Sequence, residues 1–367
     1  MKKVLIILLV LVLAAALALG GGYLYYRSEV DGTGTTGQVQ KLTVAEGETP
    51  TQITKQLKEA GIISSELCFR LYLKQTGAGP TLQYGDFSLS QGMSYDAIIK
   101  ELQTPAKRTD VISVTFPEGS TLIQFANICE KAGLCSATDF IKAADHDDYS
   151  DIAFWAKIDT DPDTFMKGEG YLFPDTYEFY QNESAHDIVH TLYAAFDAKI
   201  TDAMYQRMDE LGMSLRETIT LASLIQEEAG DPANMPGVSG VFHNRLKPGS
   251  PYPKMGSDVT WYYIADFIRP YYASLGKAVP DGLENAYYTG DEDPDSRTGL
   301  PAGPLSCPGI DAINAALYPE ENDYYFFLTD LSGKYYYAKT YEEHLANIQA
   351  MKKVNAGVKA SIGGSGS

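Results

Sequence analysis

The segment LASLIQEEAG has the pattern of a buried helix except for three consecutive polar residues near its end, Gln226–Glu228. At about 100° per residue, Glu228 falls in the same arc as Leu221, Leu224 and Ile225. The other two polar side chains project to opposite flanks of the helix. The periodicity therefore directs one carboxylate toward the interior.

An isolated carboxylate is costly to bury, so Glu228 must be paired, hydrated in a cleft, or protonated with a raised pKa. One interpretation is structural, with the carboxylate satisfied by Arg245 or by backbone amides. The other is a general acid that lines a cleft, because desolvation keeps a Glu protonated near neutral pH. Glycosidic bonds need such an acid, since their leaving oxygen departs poorly without a proton.

A second group of polar side chains follows in the segments FHNRL and MGSDVTWYY. These segments supply Asn244, Arg245, Ser257, Asp258 and Thr260 beside several aromatic residues. Hydrogen-bonding groups next to rings suit a carbohydrate, whose hydroxyls need polar partners and whose faces need apolar ones. The motifs of acyl hydrolases and P-loop enzymes, GxSxG and GxxxxGK[ST], are absent from the sequence.

Neither cysteine nor histidine spacing indicates a metal site or a cofactor. The sequence has no CxxC pair, and His186 and His190, although four residues apart, have no third ligand nearby. A solvated helix face explains the two histidines better. Cys129 and Cys135 could form a local disulfide in an exported protein or be small buried residues.

The N-terminus has the pattern of a membrane anchor. Lys2 and Lys3 precede an uncharged apolar run, residues 4–26, which is long enough to span a bilayer. Tyrosines follow at its far end, as expected for a positive-inside segment with an interfacial aromatic belt. The sequence thus predicts a single-pass cell-membrane protein with a cytoplasmic N-terminus and an extracytoplasmic main part. A cleaved signal peptide is the competing interpretation, because AAALALGGG offers small residues to a peptidase.

Composition excludes one class of partner. The chain carries 29 Lys and Arg against 48 Asp and Glu, for a net charge of −19. Such a surface repels nucleic acid and anionic lipid over most of its area. At 367 residues with 44% apolar content, the chain is long enough for two folded domains.

The order of predicted helices and strands indicates an α+β fold in two extracytoplasmic parts. The predicted segments are a cytoplasmic tip and transmembrane anchor at 1–27, a linker at 28–40, a small α+β unit at 41–105, a larger α+β unit at 106–354, and a flexible tail at 355–367. Residues 187–213 have one long helical pattern, residues 143–154 form an acid-rich loop, and Ser94 is a candidate helix cap.

Six segments in order, EGYLFPDTYEF, TLASLIQEEAG, VSGVFHNRLKPG, SDVT, GLPAGPLSCPGIDAINAALYP and KYYYAKTYEEH, resemble the MltG-type (YceG-like) endolytic murein transglycosylases. The resemblance extends from the N-terminal anchor to about Ile348. It implies a LysM-like subdomain at 41–105 and a catalytic transglycosylase domain at 106–354.

The resemblance implies cleavage of the bond between N-acetylmuramic acid and N-acetylglucosamine within nascent peptidoglycan, leaving a 1,6-anhydro end. One Glu acts as general acid and base. The family motif ASxxxxE falls on Glu228, with Glu227 as the rival position. Asn244 and Arg245 match the family's NRL motif.

Ser257, Asp258 and Thr260 match the family's SDxT motif, and the resemblance places them with Asn244 and Arg245 around the substrate. Expected partners are peptidoglycan strands, the membrane through residues 4–26, and cell-wall synthesis and division proteins. One departure is Asp295, Ser296 and Arg297, which stand where relatives have a tyrosine-bearing loop. A non-catalytic peptidoglycan-binding scaffold and a hydrolysing muramidase are the alternative functions.

Overall fold

The computed structural model describes residues 17, 19–33, 39–45, 47–104, 111–159, 161–291 and 293–363, without the side chains of 360–363. These residues divide into two compact units, one ending at Val111 and one starting at Ile112. Each unit has its own cluster of buried apolar side chains. The predicted mixed α+β class is confirmed.

The predicted membrane span, residues 4–26, lies largely outside the described residues. Its described part is helical and continues to Asp31. Within the described parts of the chain, no helix is both long and apolar enough to cross a bilayer.

The smaller unit packs three helices against a two-stranded antiparallel sheet. Its elements are β1 (Val39–Val44), α1 (Pro50–Glu59), α2 (Glu66–Thr76), β2 (Gly85–Ser90) and α3 (Tyr95–Gln103). Leu42 lies opposite Phe87 in the sheet, and both side chains are buried. The predicted cap at Ser94 is confirmed, because its side chain accepts a hydrogen bond from the backbone of Ala97. The likeness of this unit to a LysM-like subdomain stays a prediction.

The larger unit is mainly helical. Its elements are β3 (Val111–Thr115), α4 (Leu122–Ala132), α5 (Ala137–His146), β4 (Thr176–Tyr180), α6 (Ala185–Lys199), α7 (Asp202–Leu211), α8 (Leu215–Glu228), α9 (Met235–Leu246), α10 (Val259–Tyr263), α11 (Arg269–Ser274), α12 (Leu283–Tyr287), α13 (Ile310–Leu317), β5 (Phe326–Thr329), β6 (Tyr335–Ala338) and α14 (Tyr341–Gly363). A π-helical segment, residues 264–268, joins α10 to α11.

Helix α8 lies at the centre of the larger unit. It packs against α13 and α9, and nine of its fourteen residues are buried. Ser214 and Glu217 form a capping box at its start, which satisfies two backbone N–H groups of the first turn. The hairpin of β5 and β6 is antiparallel and packs against α9 and α14.

Three helix boundaries differ from the sequence-based prediction. The long pattern at 187–213 divides into α6 and α7, because Ile200 is extended and the Thr201 side chain caps the second helix. Helix α5 enters the acid-rich segment predicted as a loop and ends at His146. Helix α14 continues through residues 355–363, part of the segment predicted as a tail.

Candidate active site

Glu228 is the last residue of α8 and its side chain is half-buried. Leu221, Leu224 and Ile225, which share its helical arc, have no exposed surface. This face of α8 therefore packs in the core, and the Glu228 carboxyl lies at the edge of the core, where the helix ends.

Two hydrogen bonds fix this end of the helix. The Ser257 hydroxyl donates to Oε1 of Glu228 at 2.6 Å, and the Tyr335 hydroxyl donates to the Glu228 backbone oxygen at 3.3 Å. Ser257 is 2% exposed, so its own position is fixed by packing. The carboxyl is thus held in one orientation by a residue 29 positions away in the chain.

The surroundings of Glu228 favour its protonated form. Burial raises the pKa of Glu228, and the carboxylates of Asp258 and Glu227 raise it further. The Ser257 hydrogen bond and the charge of Arg245 oppose the rise. The last turn of a helix also carries the negative end of the helix dipole, which disfavours a carboxylate there. A carboxyl with a raised pKa keeps its proton to higher pH than an ordinary Glu, as a general acid requires.

The two neighbouring polar residues have different surroundings. Gln226 accepts a hydrogen bond at its Oε1 from the backbone N–H of Gly309 at 3.0 Å. Glu227 is exposed and lies against Gly119, where an added Cβ would come within 2.7 Å of Oε1 of Glu227. Partial desolvation raises the pKa of Glu227, but water screens an exposed group. Glu228 is the better placed acid of the two.

Asn244 lies on α9 and holds the chain that leads into the β5–β6 hairpin. Its side-chain amide donates to the backbone oxygens of Asn322 at 3.0 Å and Tyr324 at 2.9 Å. The residue is 5% exposed. Its amide is therefore committed to the protein's own backbone.

Arg245 is equally buried and bridges two loops. Its guanidinium donates to the backbone oxygens of Tyr325 at 2.7 Å and Lys254 at 2.9 Å, and it pairs with Asp291 at 3.0 Å. The structural interpretation in which Arg245 neutralises Glu228 therefore does not describe this geometry, because the arginine forms its ion pair elsewhere.

The three residues of the SDxT segment occupy different environments. Ser257 contacts Glu228, whereas Asp258 is exposed. Thr260 is fully buried, and its hydroxyl donates to the backbone oxygen of Ser257 at 2.7 Å. The Thr289 backbone N–H donates to that hydroxyl at 3.3 Å. The structure thus brings Glu228, Ser257 and Asp258 together. Thr260 supports the backbone of Ser257, whereas Asn244 and Arg245 bind other segments of the chain.

The divergent loop is braced within the protein. The Ser296 hydroxyl donates to the backbone oxygen of Gly290 at 2.6 Å, and Arg297 pairs with Asp161 at 2.7 Å. Asp295 is exposed.

Sequence reasoning missed a second acidic residue, Glu169, which is 1% exposed. It accepts hydrogen bonds from the Leu122 backbone at 2.8 Å and from the Tyr263 hydroxyl at 3.0 Å, and the Cys307 thiol lies 3.8 Å away. Burial raises its pKa to about 7. The signal in the sequence is an acid between two glycines in the aromatic segment GEGYLFP.

Cys129 and Cys135 are both free in this structure, as are Cys68 and Cys307. The two histidines of α6 pair with acids, His186 with Asp147 at 3.0 Å and His190 with Asp151 at 2.8 Å. Among the described residues, no cluster of three or more His, Cys, Asp or Glu side chains is arranged to hold a metal ion.

Comparisons with known proteins agree on one family. A sequence profile described as the YceG-like family matches residues 42–350. The endolytic murein transglycosylase of Bacillus subtilis (strain 168) is 30% identical over 339 residues, which cover 89% of each chain. The protein of the same name from Streptococcus pneumoniae serotype 2 (strain D39) is 27% identical over 354 residues, 89% of this chain and 62% of that protein.

A solved structure is also similar. The 2.6 Å crystal structure of a YceG-like protein from Listeria monocytogenes superimposes with a TM-score of 0.51 at 26% sequence identity. The match covers 85% of this chain and 99% of that one.

Proposed function

The chain belongs to the YceG-like family, and from that premise we propose that it is a lytic transglycosylase that cuts peptidoglycan strands internally, with Glu228 as general acid and base. The relatives named endolytic murein transglycosylase support the enzyme class and the substrate. The observation that carries the role of Glu228 is its raised pKa at a half-buried helix end, beside a hydroxyl that orients it.

The proposed first step is proton transfer to the glycosidic oxygen. Because Ser257 donates to Oε1 of Glu228, the acidic proton resides on Oε2. That proton passes to the oxygen between N-acetylmuramic acid and N-acetylglucosamine as the bond from the anomeric carbon to this oxygen breaks.

The second step returns the proton. The Glu228 carboxylate accepts the proton of the muramyl C6 hydroxyl while that oxygen forms a bond to the anomeric carbon. The products are a 1,6-anhydro end and a new N-acetylglucosamine end, and the acid is regenerated. Water takes no part, so a single carboxyl suffices where ordinary glycosidases use two.

Of the residues expected around the substrate, Asp258 is the one whose exposure suits direct contact with the glycan. Ser257 orients the acid. Asn244, Arg245 and Thr260 act as positioning residues, since their polar groups are occupied by the protein itself. This division refines the role that the family motifs imply for the five residues.

The experiment compares two matched substitutions in the extracytoplasmic part of the chain, Glu228→Gln and Glu227→Gln. Un-cross-linked glycan strands are incubated with each protein, and the products are identified by mass spectrometry. We expect wild-type protein to produce anhydro-muramyl ends and Glu228→Gln to be slower by about 10²- to 10⁴-fold, because an amide cannot donate the proton. Glu227→Gln should retain activity within a few-fold.

Three results would count against the proposal. Reducing ends instead of anhydro ends would indicate a hydrolysing muramidase. Binding without any product from the folded wild-type protein would indicate a scaffold. An active Glu228→Gln beside an inactive Glu227→Gln would move the acid by one residue.

We also propose that residues 4–26 anchor the protein in the cell membrane, with the N-terminus in the cytoplasm and both folded units outside. The support is the uncharged length of this segment and the lysines before it. Cell-wall synthesis and division proteins are the proposed partners. Cell fractionation tests the anchor: recovery of the intact chain in the soluble fraction would contradict it.

A further inference from the structure

A cavity of about 730 Å³ opens beside Asp258, the residue that follows the hydroxyl partner of Glu228. Its lining includes Asp258, Trp261, Tyr262, Glu284, Asn285 and Tyr288. A volume of this size falls within the usual range of ligand-binding clefts. Of the residues given a role above, only Asp258 belongs to this lining.

Helix α10 turns two aromatic side chains toward the cavity. Trp261 is 44% exposed and Tyr262 is 59% exposed, whereas Thr260 and Tyr263 on the same helix are buried. The helix is thus already held in the core by its buried residues. The exposed rings contribute surface to the cavity instead.

The Trp261 ring is held in place although it remains accessible. The Arg269 guanidinium lies over it, 4.7 Å from the ring centroid, and the Tyr288 ring meets it at 69° with the centroids 6.0 Å apart. Arg269 is itself fixed by a two-point ion pair with Glu284, at 2.8 and 2.6 Å. A ring with a fixed orientation loses little conformational entropy when a ligand stacks on it.

The lining combines two kinds of group. Asp258 and Asn285 provide carboxylate and amide oxygens, which accept hydrogen bonds from hydroxyls, whereas both carboxylate oxygens of Glu284 already accept from Arg269. Trp261 provides an apolar face. A pyranose matches both, because its hydroxyls lie around the rim and its C–H groups lie on the faces. The carboxylates of Asp258 and Asp293 in the lining repel anions, which favours a neutral sugar over one that carries acidic groups.

We propose that this cavity is a glycan subsite next to the scissile bond, in which Trp261 stacks on a neutral N-acetylhexosamine ring of the strand. The inference rests on the proposed function, since it takes the strand to pass Glu228. It adds a residue that positions the strand and does no chemistry. Binding energy there holds the strand while Glu228 acts on it.

A binding experiment tests the subsite without turnover. The Glu228→Gln protein is titrated with chitotetraose, a neutral β-1,4-linked N-acetylglucosamine oligomer, and tryptophan quenching by acrylamide is recorded. The chain has two tryptophans, and Trp155 is 8% exposed, so the quenchable signal comes from Trp261. We expect saturable protection from the quencher. Unchanged quenching at saturating oligomer would overturn the proposal, and this readout does not depend on any change at Trp261.

Substitution provides the second readout. In the Glu228→Gln background, Trp261→Ala should weaken chitotetraose binding about 3- to 10-fold, whereas Trp261→Phe should retain most of it. Tyr318→Ala is the matched control, because Tyr318 is 53% exposed and lies outside the cavity lining. Equal affinity in Trp261→Ala and the control would also overturn the proposal.

Kinetics separate this inference from the proposed function. In otherwise wild-type protein, Trp261→Ala should raise KM several-fold with kcat nearly unchanged, the signature of lost ground-state and transition-state binding in equal measure. If Trp261→Ala forms anhydro products with an unchanged KM, the proposed function stands and the subsite is rejected. Protection of Trp261 by chitotetraose in a protein that forms no anhydro products would retain the subsite and reject the function.

Discussion

The Glu228 carboxyl experiences influences of opposite sign from two adjacent residues. Ser257 donates a hydrogen bond that stabilises the carboxylate, and Asp258 supplies a negative charge that destabilises it. Burial acts in the same direction as Asp258 and is the largest effect. The pKa of the acid is therefore adjustable in both directions by changing one neighbour at a time.

The pH dependence of activity should reveal this balance. A general acid must be protonated, so kcat/KM should fall as pH rises through the raised pKa of Glu228. Ser257→Ala removes a contact that lowers the pKa, and should move this alkaline limb to higher pH. Asp258→Asn removes a repulsion, and should move it to lower pH. The measurement is kcat/KM across the pH range for the three proteins.

Ionic strength supplies the control for that measurement. Asp258 is exposed, so salt should weaken its effect, whereas the direct contact from Ser257 is insensitive to salt. Alkaline limbs that move together in both variants, or not at all, would mean that Glu228 is not the titrating acid.

At the scale of the elements, helix α9 determines where the β5–β6 hairpin lies relative to α8. Asn244 holds the backbone at Tyr324, and Arg245 holds it at Tyr325, the residue just before β5. Tyr335 of the same hairpin donates to the backbone at Glu228. A change on α9 can therefore reach the acid through the hairpin.

Asn244→Ala should destabilise the larger unit by about 1 to 3 kcal/mol, because it leaves the backbone oxygens of the half-buried residues Asn322 and Tyr324 without their donor. Chemical denaturation measures the loss. The control is Lys352→Ala, since Lys352 is exposed and its removal should change the free energy of unfolding by less than about 0.5 kcal/mol. A similar loss in both variants would show that the amide contacts are not what stabilises this region.

Glu169 joins elements that are far apart in the chain. Its carboxyl accepts from the first residue of α4 and from α10, beside the thiol of Cys307. Its pKa is raised to about 7 from an ordinary value of 4.5, so the folded protein retains a proton that the unfolded chain releases. Stability from this group is therefore complete below about pH 4.5 and is lost as pH rises through about 7.

Glu169→Gln, which cannot titrate, should lack this dependence. The difference in unfolding free energy between wild type and variant should change by roughly 3 kcal/mol between about pH 4 and pH 8. The wild type should become less stable relative to the variant at the higher pH. Urea denaturation at both pH values checks it. A difference that stays constant with pH would mean that folding does not raise the pKa of Glu169.

At the scale of the whole molecule, the two units have separate cores. Leu57, Phe69 and Leu89 belong to the smaller cluster, and Phe125 and Leu224 to the larger one. Units with independent cores can unfold independently.

Calorimetry of the protein should therefore show two unfolding transitions. Asn244→Ala should lower the midpoint of one transition and leave the other unchanged, because Asn244 lies only in the larger unit. A single transition that moves as a whole would mean that the two units unfold as one.

Features that depend on neighbouring residues were predictable from the sequence. The inward arc of Glu228, the cap at Ser94 and the mixed α+β class follow from spacings within one helix or strand, which the chain determines locally. The ordered motifs added the family. The boundary between α6 and α7 escaped prediction because one apolar periodicity continues across the break at Thr201.

The tertiary structure decided which polar groups are available to a substrate. Asn244 and Arg245 are hydrogen-bonding residues by type, but their partners lie about 80 positions away along the chain, so only the packed fold reveals that they are already occupied. Glu169 and Trp261 likewise could not be identified from the sequence, because their surroundings are formed by distant segments. Whether a side chain is sealed, paired or accessible depends on contacts between distant segments, and no local spacing encodes those contacts.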